Sequence, residues 1–480
     1  MTSTATSTTT PGTTATSTRA TTVRARRSGP SSPPGARGLI VLLACTTFIF
    51  AGSYLLPLAI PAAVFLALVA IQQPWHGPSL SPRLHACLTV IAAAMALQLV
   101  PLPAFLVDRL SPAARGIRQS VSLLEVHGAL PLTVDVTGTL RALATCGAML
   151  VVFVMGRQVF AVGGVRLVAR AIASVGLALS AVSLAQDATA HGLIYWRWNP
   201  GEGPMPFGPF LNRNHFATWV VLAVPVSIGY LLAHASAHSA RDGAPPTWRH
   251  RVMQLLDARS IWLSAAICLM LVALAASLSR SGMLGLVTAV ALGLSLVRRR
   301  SGRPPAAAWV AAALGFAVVG IAIRVGPTDV LQRFGSAGAA ALYRVGIWRA
   351  ALTVVKNFWL TGCGAGAFET VMLVSQQAPS LFRINAAHNH YLQLAAEGGL
   401  LIAIPVVAAL MLFVRESAAA LARDDSGMYF LRAGAVCSLA GVAVQSLWET
   451  GLATPANGVL AAIVAAIAVH RSAPRVRADG

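Results

Sequence analysis

Four short polar segments interrupt a strongly apolar chain, and each carries residues that can bind charge or move protons. The first, 208–217, places Asn212, Arg213, Asn214 and His215 directly before an apolar stretch. A guanidinium offers a planar fork of donors that matches phosphate oxygens, so Arg213 is a candidate anion-binding residue. The two amides and the imidazole would support it. The alternative is an arginine that extends its charged end to lipid headgroups.

Two further segments contribute arginines. Arg280 lies in the serine-rich hairpin 277–282 between two apolar stretches, and Arg344 and Arg349 lie in the segment 343–349. A charged side chain in a tight hairpin between two membrane segments is costly, and binding of an anion would compensate that cost. The alternatives are a hairpin hydrogen-bonded by its serines, and a solvated helix face for the other two arginines.

The fourth segment contains His388, Asn389 and His390, at the point where a long loop meets an apolar stretch. A neutral imidazole can accept a proton from a hydroxyl at neutral pH, which makes His388 a candidate general base. His388 is the better placed of the two histidines, and His390 is the alternative base, with Asn389 orienting its neighbour. A structural histidine and a metal site are the alternatives, and the absence of a nearby metal-binding partner weighs against the metal.

Composition places these segments in a membrane protein. The chain has 480 residues, 56% of them hydrophobic and 11% charged, with a mean hydropathy of +0.69, whereas soluble proteins carry about 25% charged residues. The net charge of +21 is spread over short loops rather than one basic face, so we expect no nucleic-acid partner. The sequence contains no G-x-x-x-x-G-K-[ST] loop, which argues against ATP hydrolysis.

Apolar stretches of bilayer-spanning length predict an all-α, polytopic transmembrane bundle of about twelve helices within residues 38–470. The predicted spans are 38–56, 57–73, 84–101, 137–156, 167–186, 214–234, 260–278, 281–297, 306–324, 391–414, 429–447 and 455–470. Residues 1–37, rich in Thr, Ser and Arg, are predicted to be a disordered cytoplasmic tail, and residues 471–480 are predicted to be a cytoplasmic tail.

Arginine is concentrated in alternate loops, which predicts that both termini are cytoplasmic. The long loops 102–136, 187–213 and 325–390 then lie on the outer face, where long loops indicate function. In the last of these, an amphipathic helix is predicted by the helical spacing of its apolar residues, which are Leu342, Val345, Trp348, Leu352, Val355 and Trp359. Glycines at 362, 364 and 366 predict a structural turn.

At these positions the sequence resembles the bacterial O-antigen ligase and polymerase family. The likeness lies in four loose motifs, in this order: G-x-F-x-N-x-N-x-F-A at 208–217, S-R-[SG]-[GA] at 279–282, R-x-x-x-W at 344–348 and H-N-x-x-L at 388–392. It extends over about 167–412.

The resemblance implies a C-type fold with a large helical extracytoplasmic loop, in the inner membrane of a bacterium. It implies an inverting glycosyltransferase that moves a glycan from undecaprenyl pyrophosphate to an acceptor hydroxyl on lipid A-core or another glycan. His388 would be the base, and Arg213, Arg280 and Arg344 would bind the pyrophosphate. No metal or other cofactor is expected.

Two alternatives remain open at the level of sequence. A polymerase of the same family would use the same donor and differ only in its acceptor. A transporter of a small anion or lipid-linked sugar is the alternative from another class, although transporters usually place ionisable residues or broken helices at mid-bilayer, often in repeated halves. The charged candidates here cluster at a predicted membrane boundary instead.

Overall fold

The computed structural model describes residues 1–2, 34–73, 81–121, 128–201, 203–239, 257–301, 337–375 and 384–470. Within these ranges the regular structure is helical, with 3-10 turns at Phe50–Gly52 and Gly451–Ala453 and no strand longer than an isolated bridge. The helices are α1 (Pro34–Phe48), α2 (Leu55–Gln72), α3 (Pro82–Leu97), α4 (Ala104–Leu110), α5 (Pro112–Val121), α6 (Val136–Val162), α7 (Val165–Thr189), α8 (Arg213–Ser239), α9 (Ala258–Ala276), α10 (Arg280–Ser301), α11 (Ala337–Asn357), α12 (Phe368–Ser375), α13 (His390–Ala422), α14 (Met428–Gln445) and α15 (Pro455–Val469).

The prediction of an all-α polytopic membrane protein is confirmed. In the described part of the chain, seven helices are long and apolar enough to cross a membrane, namely α6 to α10, α13 and α14, and α1, α2, α3 and α15 are shorter apolar helices. Each of these eleven helices begins within four residues of the start of a predicted span. The predicted span 306–324 lies outside the described residues.

Helix α8 is the central helix of the bundle. Its 18-residue apolar stretch is 83% buried, against 22% for α6, α10 and α13. Glycines allow α14 to approach the backbones of both α8 and α10. A Cβ atom built on Gly434 of α14 would lie 2.3 Å from the carbonyl oxygen of Pro225 in α8. A Cβ on Gly441 would lie 2.6 Å from the carbonyl oxygen of Gly285 in α10. Small residues at such crossings are the usual means of close helix packing in membranes.

A second, smaller core joins the two segments that precede α6 and α13. Val107 and Ile117 from α4 and α5 pack in one cluster with Val354 of α11 and Phe368 of α12. Helices α4 and α5 were not predicted, since both are shorter than a membrane span. This cluster fixes the position of α11, which carries Arg344 and Arg349.

The predicted helix α11 is present, and several of the apolar residues whose spacing predicts it are exposed. Leu342 and Leu352 are 74% and 49% exposed, whereas Ile347 and Val354 are buried. An apolar stripe indicates burial in protein only where water is the solvent. In a membrane protein the same stripe can face lipid, so hydropathy alone does not distinguish the two faces.

Helix α13 is interrupted at Gly399, which has φ +53° and ψ −159°. The segment before α12 fills the break: Gly364 N–H donates to the Glu397 carbonyl at 3.1 Å, and Leu400 N–H donates to the Trp359 carbonyl at 2.9 Å. The amide of Gln98 also donates to the Glu397 carbonyl, at 2.9 Å. Residues 362, 364 and 366 all have positive φ, as a tight glycine turn requires. The backbone groups released by the break are therefore bonded within the protein.

We predict that Gly441→Ala destabilises the bundle by about 1–3 kcal/mol, because the added methyl group must displace the α10 backbone. Gly147→Ala is the matched control, since a Cβ there meets nothing within 4 Å. Thermal unfolding in detergent, followed by size-exclusion chromatography, measures both. Equal midpoints for the two variants would contradict the close packing of α10 and α14.

Candidate functional site

The carboxylate of Glu449 is the centre of the polar site. Glu449 lies just after the end of α14, and its side chain is 1% exposed. Its Oε1 accepts hydrogen bonds from Arg344 Nη2 at 2.8 Å and from Asn214 Nδ2 at 2.7 Å. A buried carboxylate is stable only when charges and donors compensate its lost hydration. Glu449 therefore joins the starts of α8 and α11 to the end of α14.

His388 approaches the other oxygen of the same carboxylate. Its Nδ1 lies 3.6 Å from Glu449 Oε2, a distance at which the two form an ion pair if the ring is protonated. Both atoms are buried and have no hydrogen-bond partner among the described residues. The His388 side chain is nevertheless 27% exposed. Because Nδ1 is buried against the carboxylate, the exposed part of the side chain lies away from that atom.

The backbone around His388 is held in an uncommon conformation. His388 has φ +48°, a left-handed conformation that costs energy and is found mostly where surrounding contacts enforce it. Those contacts are present: Trp348 Nε1 donates to the Ala387 carbonyl at 2.9 Å, and Ala387 N–H donates to Gln393 Oε1 at 3.1 Å. The conformation of this residue is thus set by α11 and α13 together.

His215 lies beside this cluster, on the first turn of α8. Its Nδ1 and the Thr454 hydroxyl are 2.8 Å apart, and its carbonyl accepts a hydrogen bond from Asn457 Nδ2 at 2.9 Å. Asn457 also donates to the Gly451 carbonyl at 2.8 Å. The start of α15 and the preceding 3-10 turn therefore fix the ring, which is close enough for the charges of Glu449 and His388 to act on it.

Arg213 and Arg280 are the first residues of α8 and α10. The two helix starts are adjacent, because a Cβ on Gly282 would lie 2.6 Å from Ala217 Cβ. Arg280 is exposed, and in the hairpin before it Ser279 Oγ accepts a hydrogen bond from Gly282 N–H at 3.3 Å. The serines do bond the hairpin, as one alternative held, and they leave the guanidinium of Arg280 at the surface.

Asn212 and Asn389 occupy helix-capping positions. Asn212 Oδ1 accepts a hydrogen bond from Asn214 N–H at 2.8 Å, and Asn389 Oδ1 accepts one from Leu392 N–H at 3.0 Å. Both side chains satisfy amides that a helix start leaves unpaired. Asn389 therefore caps α13, the helix that begins at His390, and contacts no histidine ring through this hydrogen bond.

His390 and Arg349 are not brought to Glu449 by any of these contacts. The His390 N–H donates to the Ser446 carbonyl at 2.8 Å, and its ring Nδ1 is buried without a hydrogen-bond partner in the described part of the chain. Arg349 is exposed on α11. Of the two candidate bases, His388 is the one with a carboxylate at its ring.

Glu449 was missed by the sequence analysis, which looked for chemistry only in arginine- and histidine-rich segments. The available signal was an acidic residue directly after a predicted span, in a chain with only 15 Asp and Glu residues. Ionisable residues at such positions are rare and mark functional sites. Its pairing with Arg344 depends on the tertiary fold and has no local signature.

Cys363 and the metal-binding side chains do not add a nucleophile or a metal site to the described residues. Burial, and then the charge of Glu397, raise the pKa of the Cys363 thiol well above its ordinary value, so this cysteine is a neutral thiol. In the part of the chain that the structure describes, no three His, Cys, Asp or Glu side chains form a group that could hold a metal ion. The donors that do converge are guanidinium, amide and imidazole groups around one carboxylate.

Residues 265–407 match the family model described as O-Antigen ligase. This stretch contains Arg280, Arg344 and His388, whereas Asn214 and Glu449 lie outside it. The predicted resemblance to that family is confirmed, and it supports glycan processing in a membrane, of the ligase or polymerase type. None of the curated proteins matches the chain.

The pairing of Arg344 with Glu449 predicts energetic coupling between the two side chains. Arg344→Met alone leaves a buried carboxylate short of a donor and is expected to cost about 1–3 kcal/mol of unfolding free energy. Arg344→Met combined with Glu449→Gln is expected to cost less than the sum of the single changes, by about 1 kcal/mol or more. Denaturation in mixed detergent micelles measures this cycle. Arg349→Ala, an exposed arginine on the same helix, serves as the control, and strictly additive effects would contradict the pairing.

Proposed function

We propose that this chain, whose residues 265–407 match the O-antigen ligase family model, transfers a glycan from undecaprenyl pyrophosphate to an acceptor hydroxyl at the outer face of a bacterial cytoplasmic membrane. The observation that carries the proposal is the convergence of Arg344, Asn214 and His388 on Glu449, beside two helix starts that begin with arginine. The family match supports the reaction class, and the geometry supports the roles of the residues.

The reaction needs one bond to form and one to break. The acceptor oxygen attacks the anomeric carbon of the donor sugar as the bond from that carbon to the pyrophosphate oxygen breaks. The pyrophosphate leaves with the electron pair, and the acceptor hydroxyl loses its proton to the base. Attack opposite to the leaving group inverts the anomeric centre. The energy comes from the donor, so ATP is not required.

His388 is the base in this scheme. Its Nδ1 is 3.6 Å from Glu449 Oε2, and the ring is partly exposed elsewhere, so its Nε2 can accept the acceptor's proton. The carboxylate then stabilises the imidazolium that forms, and it holds the ring in one orientation, as carboxylates do for histidine bases in other enzymes. Glu449 is therefore a positioning residue that acts through His388 and Arg344.

The leaving pyrophosphate needs positive charge more than it needs a proton. Arg213 and Arg280 are the first residues of α8 and α10, so the positive ends of two helix dipoles add to the charge of their guanidinium groups. Fixed donors aimed at developing negative charge require no reorganisation during reaction. Arg344 shares its charge with Glu449 and has a 33% exposed side chain, so it can orient the base and reach the phosphates at once. These groups can act without a metal.

The membrane orientation is part of the proposal. Arginines at the opposite ends of the helices, such as Arg157 at the end of α6, Arg166 at the start of α7 and Arg298 to Arg300 at the end of α10, favour a cytoplasmic position for those ends. Both termini would then be cytoplasmic and the Glu449 site would face outwards, where lipid-linked glycans are presented. Lipid A-core or another glycan would supply the acceptor hydroxyl.

A polymerase of the same family remains the second candidate, since it would use the same donor and the same machinery. A transporter is disfavoured by two features. The break in α13 is filled by backbone and by Gln98 rather than lining a polar cavity, and the charged groups gather at helix starts.

We predict that His388→Ala lowers kcat for glycan transfer by about 10²- to 10⁴-fold, the usual contribution of a general base. His390→Ala is the matched control and should retain most activity. Both variants are compared in cells that lack their own transferase and as purified protein with lipid-linked glycan. Supplying lipid A-core and lipid-linked repeat units separately distinguishes a ligase from a polymerase. Full activity of His388→Ala, or equal loss in both variants, would contradict the assignment of the base.

A metal-independent mechanism predicts that chelators do not inhibit the enzyme. Purified protein dialysed against EDTA should transfer glycan at the rate of untreated protein, because guanidinium groups stabilise the leaving pyrophosphate. Loss of activity after dialysis, restored by adding Mg²⁺ or Mn²⁺, would overturn this part of the proposal.

A further inference from the structure

An exposed aromatic cluster lies between the 3-10 turn after α1 and the loop after α7. The ring of Phe50 makes edge contacts with Tyr54, Tyr195 and Trp198, with centroids 5.2, 5.8 and 5.5 Å apart. Tyr54 and Trp198 are 5.4 Å apart. Trp198 is nevertheless 48% exposed, and the neighbouring Trp196 is 44% exposed. The cluster therefore presents two indole rings to its surroundings.

The indole N–H groups of both tryptophans are used inside the protein. Trp196 Nε1 donates to Thr189 Oγ1 at 2.7 Å, and Trp198 Nε1 donates to the Tyr54 hydroxyl at 3.0 Å. Tryptophans that anchor a protein at the membrane interface keep the polar edge for water and headgroups. Here the polar edges are occupied, so each ring is held in one orientation and what remains exposed is apolar ring surface.

The backbone of this loop is strained in a way that orients the rings. Tyr195 and Trp196 have φ +52° and +60°, and a left-handed conformation is exceptional for bulky residues. Gln186 Oε1 accepts the Tyr195 N–H at 2.8 Å, and Ile194 and Trp198 exchange two backbone hydrogen bonds at 2.8 and 2.9 Å. Strain that is enforced by such contacts accumulates at functional sites.

The cluster is continuous with the Glu449 site by two routes. Gln186 Nε2 also donates to the Gly208 carbonyl at 2.8 Å, in the segment that leads to Arg213. On the other side, a Cβ on Gly52 would lie 2.7 Å from Pro455 Cβ, next to the Thr454 hydroxyl that meets His215. A molecule bound with its pyrophosphate at the starts of α8 and α10 would have the aromatic cluster beside it.

We propose that Trp196 and Trp198, supported by Tyr54, form a subsite that binds pyranose rings of the glycan by stacking. This inference rests on the proposed function and adds to it a place where the sugar is recognised. The C–H groups on one face of a pyranose carry partial positive charge and pack on the electron-rich face of an aromatic ring. Two rigid indoles beside a pyrophosphate site fit consecutive sugar rings, whereas a lipid chain would not need fixed ring orientations.

The test compares three probes on the full-length protein in nanodiscs: the lipid-linked glycan, undecaprenyl pyrophosphate without glycan, and the free glycan released by mild acid. The variants are Trp196→Ala, Trp198→Ala and Trp198→Phe. Trp359→Ala is the matched control, since Trp359 is 58% exposed outside this loop. Titration calorimetry gives the affinities, and a transfer assay separates KM from kcat.

Stacking predicts that Trp198→Ala weakens binding of the lipid-linked and the free glycan by about tenfold. The KM should rise by a similar factor while kcat changes little, Trp198→Phe should recover part of the affinity, and binding of undecaprenyl pyrophosphate should not change. Equal weakening for undecaprenyl pyrophosphate would show a lipid contact and overturn the proposal, as would unchanged affinity for every probe. If wild-type protein binds free glycan through Trp198 but transfers nothing, the subsite stands and the proposed function fails.

Discussion

The buried carboxylate of Glu449 is the constraint on which the geometry of the site depends. With 1% of its side chain exposed, it has lost nearly all of its hydration, and such a charge costs several kcal/mol unless the protein replaces the lost water. Arg344 and Asn214 supply that replacement from two helices far apart in the sequence. Separating α8 or α11 from the end of α14 would leave this carboxylate without a donor, so its hydrogen bonds keep the three helices together. The same carboxylate also lies next to the ring of His388.

The remainder of the fold can be understood as support for these positions. Glycine contacts between α8, α10 and α14 hold the starts of α8 and α10 next to one another. The small core of α4, α5, α11 and α12 fixes α11 from the outside of the bundle. The break in α13 lets the glycine turn pack into the helix, and Gln98 links that turn to α3. The arginines of the site are therefore carried by helices. His388 and Glu449 lie on the short segments 384–389 and 446–454 between helices.

The sequence was a good guide wherever one physical effect dominates. Hydropathy located eleven apolar helices in the described part of the chain, seven of them long enough to cross a membrane, because the bilayer requires a fixed apolar length regardless of what the helix packs against. His388, at a predicted membrane boundary, and Arg344, in the long outer loop, became candidates because of their residue types and their neighbours, and their roles stay predictions. The same reasoning did not indicate which face of α11 is buried: Leu342 and Leu352 are exposed, whereas Ile347 and Val354 are buried. It also missed Glu449 and the aromatic cluster, since both depend on contacts between distant segments.

The most direct test of the account is an experimental structure of the protein in a lipid nanodisc with undecaprenyl pyrophosphate. The account predicts that the diphosphate lies at the starts of α8 and α10 against the guanidinium groups of Arg213 and Arg280, with the Nε2 edge of His388 facing the reacting end. Glu449 should still bind Arg344. A diphosphate bound at the opposite ends of these helices, or a His388 ring turned away from Glu449 towards lipid, would contradict it.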